Sequence, residues 1–277
     1  YFTNVTGYVF GAFLLLFAGI YTMAYNLRSG YTNFEYVLGS MSFVFLVIVP
    51  ILTMKVIAEE KRQKTDQLLY SLPLSMTRVV LGKYLALLVV FAVPMVIICL
   101  YPIVLGAFGS VYLPAAYSAI FGFYLLGAAL IAIGMFISSI TESQAVAAGL
   151  CFVVMLLNYF ITSLASYAST TAASSLLAFT VLVLVIGGVF RFMTRSGFAS
   201  VVLMLILEGL LLVGFLLDSS AYEGLFPEIM EQLSLFDRFY DFVYGIFDLG
   251  SVVYFLTVIG VFLFLSVRSL EKRRWSE

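Results

Sequence analysis

Apolar runs of about 20 residues recur along this chain, and short polar stretches separate them. A helix of that length crosses a hydrocarbon core roughly 30 Å thick. The chain is 63% hydrophobic and only 10% charged, with a mean hydropathy of +1.12, which lies far outside the range of soluble domains. We therefore expect an all-α polytopic membrane protein.

The apolar runs predict eight membrane spans. The predicted spans are residues 7–25, 37–57, 79–108, 115–137, 145–165, 176–193, 198–217 and 251–267. The third run contains Pro94 and Pro102, which predict a kink, or a break near Pro102. The pair of runs within 176–217 is also compatible with a re-entrant hairpin, and both alternatives stay open.

Basic residues lie almost entirely on one side of these spans, the side that holds both chain ends and the loop after the second span. The basic residues on this side are Lys55, Lys61, Arg62, Lys64, Arg78, Lys83, Arg191, Arg195, Arg268, Lys272, Arg273 and Arg274. Only Arg28 and Arg238 fall on the other side. Because cytoplasmic loops of membrane proteins carry an excess of Lys and Arg, we expect both termini to be cytoplasmic.

The largest concentration of charge in the chain follows the second span, at residues 58–78, which we call the charged segment. Acidic and basic residues come first, and Leu68, Leu69 and Leu72 follow at helical spacing before Pro73. A short amphipathic helix between two spans suits docking of a soluble partner, with Asp and Glu early in the helix and a leucine ridge for a cleft on the partner. The alternative is a solvated loop whose charges only set the topology.

The charged segment and its flanks resemble type-2, exporter-like ABC transporter permeases, in particular the branch that includes the gliding-motility permease and the permease for copper maturation of nitrous oxide reductase. The motifs that carry the resemblance are PILTM at 50–54, AEEKR at 58–62, KTDQLL at 64–69, LP at 72–73 and VLGKYLA at 80–86. Residues 132–144 and the last span with its basic tail, 253–274, fit the same family. Lys64 stands where the family usually has Gly, and Gln67 where it usually has Glu.

The resemblance implies a single permease domain over residues 1–277, with a six-helix core to which the spans at 176–217 are an extra pair. It also implies a multi-pass protein of the bacterial plasma membrane, moving substrate, by export, with ATP hydrolysed in separate cytoplasmic ATPase subunits. ATP and Mg²⁺ would belong to those partners, and no phosphate-binding GxxxxGK[ST] motif occurs here. A second copy or paralogue would complete the pathway. The residues expected to couple to the ATPase are Glu59, Glu60, Lys61, Arg62, Thr65, Gln67, Leu68, Leu69, Leu72 and Pro73.

Two polar residues inside predicted spans, Glu208 and Asn158, form a possible intramembrane polar site. The alternative roles are a protonated Glu208 bonded to a neighbouring helix and an interhelical hydrogen bond from Asn158. Residues 218–249 have apolar positions at steps of three and four, which predicts an external amphipathic helix in the membrane interface that could meet an accessory protein. Membrane lipid is an expected partner, and nucleic acid is not.

Two other classes of function stay open. A mechanical or assembly subunit without transport activity would use the same ATPase contact. A secondary transporter driven by an ion gradient is expected to show internal repeats and several intramembrane ionisable groups, and neither is evident here.

Overall fold

The computed structural model describes residues 5–65, 75–194 and 197–274, and in this part of the chain every regular element is helical. The helices of the first half are α1 (Val5–Thr22), α2 (Glu35–Met41), α3 (Phe45–Thr53), α4 (Ala58–Arg62), α5 (Met76–Ile98), α6 (Tyr101–Gly106) and α7 (Leu113–Ile140). Those of the second half are α8 (Gln144–Tyr167), α9 (Ala172–Thr194), α10 (Gly197–Leu217), α11 (Leu225–Gln232), α12 (Leu235–Val243) and α13 (Leu249–Arg274). A π-helical turn (Met23–Arg28) and two 3₁₀ turns (Ser42–Val44, Ser220–Tyr222) connect some of them.

Seven helical stretches within the described residues are long and apolar enough to cross a membrane. They are Thr6–Arg28, Glu35–Arg62, Met76–Gly106, Leu113–Ile140, Gln144–Tyr167, Ser200–Leu217 and Leu249–Arg273. The stretch Ala172–Gly188 is apolar but shorter, and it belongs to the predicted sixth span. The all-α polytopic class is thus confirmed, while the choice between spanning and re-entry at 176–217 stays a prediction.

The chain divides into two compact units, residues 1–159 with 235–277, and residues 160–234. Helix α7 lies at the centre of the first unit and packs against α2, α3, α5, α12 and α13. Of the residues in the apolar part of α7, 83% are buried, whereas in the apolar part of the first span 22% are buried. Helix α7 is rich in glycine and alanine, and such small residues let neighbouring helices approach closely.

Aromatic rings fill the space around α7. Phe45 of α3 stacks on Phe123 of α7 with ring centroids 4.4 Å apart. Phe91 of α5 packs edge-on against Phe45 at 5.7 Å and stacks on Tyr124 at 5.1 Å. Because these rings are large and well packed, they hold α3, α5 and α7 in a defined arrangement.

The break predicted in the third span is confirmed. Helix α5 ends at Ile98, and α6 begins at Tyr101 with Pro102 in its first turn. A proline is tolerated there because the first amides of a helix have no partner within it. Pro94 lies inside α5, which continues past it.

Residues 218–249 are amphipathic, but they form a 3₁₀ turn and two short helices instead of one continuous helix. The break falls at Leu233 and Ser234. The amide of Leu235, where α12 begins, donates to the Asn158 side-chain oxygen at 3.0 Å. This contact gives the second helix its own start, so a side chain from α8 decides where the helical run is interrupted.

Helix α12 also lies deeper than an interfacial helix would. Phe236, Phe239 and Phe242 on its apolar face are fully buried. Phe239 packs edge-on against Phe123 of α7, and the Tyr240 hydroxyl donates to the Gly39 carbonyl at 3.3 Å. The apolar face predicted to rest on lipid is therefore part of the protein core.

The second unit contains α9, α10 and α11. Between α9 and α10, the Ser200 hydroxyl donates to the Gly187 carbonyl at 2.5 Å. The turn before α11 is closed by the Gly224 amide, which donates to the Thr170 carbonyl at 2.8 Å. Gly224 has a φ of +72°, a conformation that glycine adopts without strain.

Candidate coupling site

The first part of the charged segment is helix α4, which contains Glu59, Glu60, Lys61 and Arg62, and Thr65 follows it closely. It continues the second span after the turn at residues 54–57, so that Glu35–Arg62 is one apolar-to-charged stretch. The other residues predicted to couple lie outside the described residues: Gln67, Leu68, Leu69, Leu72 and Pro73.

The start of α4 is capped by a side chain from another helix. The Ser138 hydroxyl oxygen, fully buried near the end of α7, accepts from the amides of Ile57 at 3.2 Å and Ala58 at 3.0 Å. The same hydroxyl donates to the Met54 carbonyl at 3.3 Å. The N-cap residue of α4, Ile57, has no side-chain group for this purpose. Ser138 therefore fixes the α3–α4 turn to α7.

Lys61 is 6% exposed, and its ammonium donates to the Ser139 carbonyl in the last turn of α7. The Ser269 hydroxyl of α13 donates to the same carbonyl at 3.0 Å. Carbonyls in the last turn of a helix have no amide partner within it and carry partial negative charge, so a lysine is well suited there. One oxygen thus joins α4, α7 and α13. The buried side chain of Lys61 therefore holds α4 against the end of α7.

Glu60 pairs with Lys83 of α5, and the Lys83 ammonium also donates to the Val56 carbonyl at 3.0 Å. The side chains are 38% and 18% exposed, so this pair is only partly screened by solvent. It holds α4 against α5, and the coupling motif PILTM–AEEKR therefore contacts the motif VLGKYLA directly.

The C-terminal helix makes a second contact at this end. Arg273 of α13 donates to the Glu142 carboxylate at 2.6 Å, in the turn between α7 and α8. That hydrogen bond, reinforced by the charge of Arg273, lowers the pKa of Glu142. Glu142 therefore stays ionised, and paired, to a lower pH than an isolated glutamate.

The far end of α4 points outward. Arg62, Gln63, Lys64 and Thr65 are all exposed. The amide of Thr65 donates to the Glu60 carbonyl at 3.0 Å, and that of Lys64 donates to the Lys61 carbonyl at 3.2 Å. These two bonds, with a left-handed residue at Lys64 (φ 57°), form the Schellman motif that closes many helices.

A polar cavity of about 270 Å³ lies beside α4. It is lined by Thr6, Leu52, Lys55, Val56, Glu59, Glu60, Gln63 and Lys83. Glu59 accepts from the Gln63 side-chain amide at 3.2 Å. Two of the acidic residues predicted to meet a partner thus line a cavity of the protein itself.

Each of the two predicted intramembrane polar residues has a hydrogen-bond partner in its own unit. Glu208 of α10 accepts from the Thr180 hydroxyl of α9 at 2.8 Å. Asn158 positions the start of α12 through the Leu235 amide. Both contacts are the interhelical hydrogen bonds of the alternative interpretation, and a role of either residue in transport stays a prediction.

Sequence reasoning missed Ser138, Ser139 and Ser269 and counted Lys83 only as a basic residue. Ser138 and Ser139 lie in the resembling stretch 132–144, and Lys83 in VLGKYLA, so the motifs marked these regions without revealing their contacts. Within the described residues, no group of three or more His, Cys, Asp or Glu side chains could hold a metal ion. The arrangement ties α4 to α5 and α7 directly, and to α13 through the shared Ser139 carbonyl.

These helices define a polytopic membrane protein with a braced, charged helix at one end. The family model described as ABC-2 family transporter protein matches residues 10–275, and the chain belongs to that family. It is accordingly a multi-pass membrane permease subunit of the ABC transporter type. No curated protein and no solved structure gives a significant match to the chain.

Proposed function

We propose that this permease moves its substrate outward with ATP hydrolysed by a cytoplasmic ATPase, and that the ATPase contacts the outward end of α4 together with residues 66–74. The observation that carries the proposal is that α4 is held by the protein on its inner side, whereas its last residue and the three residues after it are exposed. Its inner contacts, from Lys61, Glu60 and the Ile57 and Ala58 amides, bind it to α5 and α7. Its outer residues, Arg62 to Thr65, are exposed for a partner.

The orientation follows from charge. The α4 end of the first unit carries Lys55, Lys61, Arg62, Lys64, Arg78, Lys83, Arg268, Lys272 and Arg273. We place this end and both termini on the cytoplasmic side of a bacterial plasma membrane, because basic residues are retained on that side. The motifs at 50–86 are the basis for three parts of the proposal: export, pairing with a second copy or paralogue, and kinship with the gliding-motility and copper-maturation branch. The acidic residues of 218–249 are the basis for proposing an outer accessory protein.

The test measures recovery of the ATPase with the purified permease. Arg62→Glu and Leu68→Asp should each lower recovery about tenfold, which corresponds to about 1.4 kcal/mol of binding free energy. Arg62 is preferred to Glu60 because a change at Glu60 would also break the ion pair with Lys83. Arg28→Glu, the same change at an exposed residue of the opposite end, serves as the control and should leave recovery unchanged. Full recovery with both test variants would refute the proposal.

A further inference from the structure

Within the described ranges, some of the charged side chains around the α4 cavity have no charged partner. Glu60 and Lys83 pair with each other. Lys55, which also lines the cavity, makes no hydrogen bond or ion pair with any residue that the structure describes. Glu59 accepts only from the neutral Gln63 amide within the same residues. Among the described residues, the cavity therefore presents one cation and one anion that have no charged partner.

A second, smaller groove of about 40 Å³ lies along the seam between α1 and α3. The cavity is lined by Thr6 of α1 and Leu52 of α3, and the groove begins about one turn further along α1, at Val9, and at the neighbouring residue of α3, Ile51. The groove is lined only by apolar side chains: Val9, Phe10, Phe13, Val47, Ile48 and Ile51. Since α1 and α3 are antiparallel here, the polar cavity lies at the membrane end and the apolar groove deeper in the bilayer.

The groove is open to its surroundings, because Phe13 and Val47 are each 47% exposed. Both helices belong to stretches long and apolar enough to cross a membrane, so these side chains lie at membrane depth. A polar cavity with balanced charge that opens into an apolar groove has the layout of an amphiphile with a zwitterionic head. Lys55 and Glu59 are both half-buried, and a charge in such a place is stabilised by a partner of opposite sign.

We propose that this seam is a binding site for one membrane phospholipid with a primary-amine headgroup, phosphatidylethanolamine being the type case. Lys55 binds the phosphate, and Glu59 accepts hydrogen bonds from the ammonium, which the quaternary nitrogen of phosphatidylcholine cannot donate. One acyl chain lies along the groove between α1 and α3. The site does not depend on the ATPase contact. It places a lipid against the inner side of α4, the helix that the partner is proposed to move.

The experiment uses the full chain in phosphatidylcholine vesicles that contain a phosphatidylethanolamine with a photoreactive group in its acyl chain. After irradiation, adducts are mapped by mass spectrometry. We expect adducts concentrated at residues 9–13 and 47–51. Lys55→Gln should lower this labelling about tenfold, as expected for loss of one charge-assisted hydrogen bond, and Lys55→Arg should retain it. Lys272→Gln, an exposed lysine at the same end outside the cavity, should label like the unchanged protein.

A second arm tests the headgroup. A phosphatidylglycerol probe with the same photoreactive chain should label the groove less, and Glu59→Gln should abolish the difference between the two probes. Equal labelling by both probes in the unchanged protein would overturn the assignment. So would undiminished labelling in Lys55→Gln, or adducts spread evenly over lipid-facing positions such as Leu205 and Leu210, which would indicate ordinary boundary lipid.

Discussion

Among the residues that the structure describes, Lys64 alone combines a side chain with a positive φ. It occupies the position of the Schellman motif where glycine is commonest, and it is the position where the resembling permeases usually have glycine. A left-handed conformation costs a residue with a Cβ atom roughly 1–2 kcal/mol. Lysine at this position therefore makes the end of α4 less stable than glycine would, and it adds a cation to the exposed residues after α4.

Lys64→Gly should therefore stabilise the protein by up to about 1 kcal/mol, after allowance for the greater freedom of glycine in the unfolded chain. Lys64→Val should destabilise it, because a branched side chain is the least tolerant of positive φ. Thermal unfolding in detergent measures both. A lower midpoint for Lys64→Gly would contradict the inferred strain at this residue.

Ser138 makes three hydrogen bonds to the backbone of the turn before α4. Ser138→Ala would leave the buried amides of Ile57 and Ala58 without their acceptor, and an unsatisfied buried donor costs about 1–3 kcal/mol. Ser139→Ala is the matched control, because the Ser139 hydroxyl donates only within its own helix, to the Phe136 carbonyl at 2.7 Å. The thermal midpoint of Ser138→Ala should fall well below that of Ser139→Ala. Equal midpoints would show that Ser138 does not fix the turn.

At the scale of elements, α12 was predicted to lie at the membrane surface, but it packs in the protein core. Its hydrophobic face carries three phenylalanines, and α7 leaves space for one of them, Phe242, because Gly122 has no side chain. A Cβ atom on Gly122 would lie 2.7 Å from Phe242 Cγ and 2.8 Å from its Cβ. Neither atom belongs to a flexible end, so the two helices would have to separate.

Gly122→Ala should accordingly destabilise the protein by about 1–3 kcal/mol, the usual effect of overpacking. Gly149→Ala in α8 is the control, because no atom lies within 4 Å of the added methyl group and alanine favours helix. Its thermal midpoint should stay the same or rise. A tolerated Gly122→Ala would mean that α12 does not pack on α7 at this point.

The steps of three and four in 218–249 predicted an amphipathic helix but not the partner of its apolar face. Lipid and a protein core are equally apolar, so the spacing of Phe236, Phe239 and Phe242 cannot distinguish them. The break before Leu235 depends on Asn158, which is 77 residues away in sequence. By contrast, the interruption near Pro102 was predictable, because proline acts on its own helix.

At the scale of the whole molecule, composition predicted the class of protein. The apolar runs predicted the number of long apolar helices to within one, and the positions of the basic residues predicted that charge clusters at one end. The candidate site was predictable as a region, since AEEKR and VLGKYLA marked it. The contacts that make it rigid were not, because each joins residues distant in sequence: Ser138 with Ile57, Lys61 with Ser139, Glu60 with Lys83. A single sequence records each residue but not its neighbours in space.

The shared Ser139 oxygen has a practical consequence for anyone who modifies the carboxyl end. Its lone pairs receive the ammonium of Lys61 and the hydroxyl of Ser269, so the tail and α4 hold the same atom. A fusion tag or truncation that shifts the last turns of α13 should therefore also shift α4, through the Ser139 carbonyl that both contact. It would do so without touching the exposed residues at the end of α4. Reporter proteins and affinity handles are better attached elsewhere on this chain.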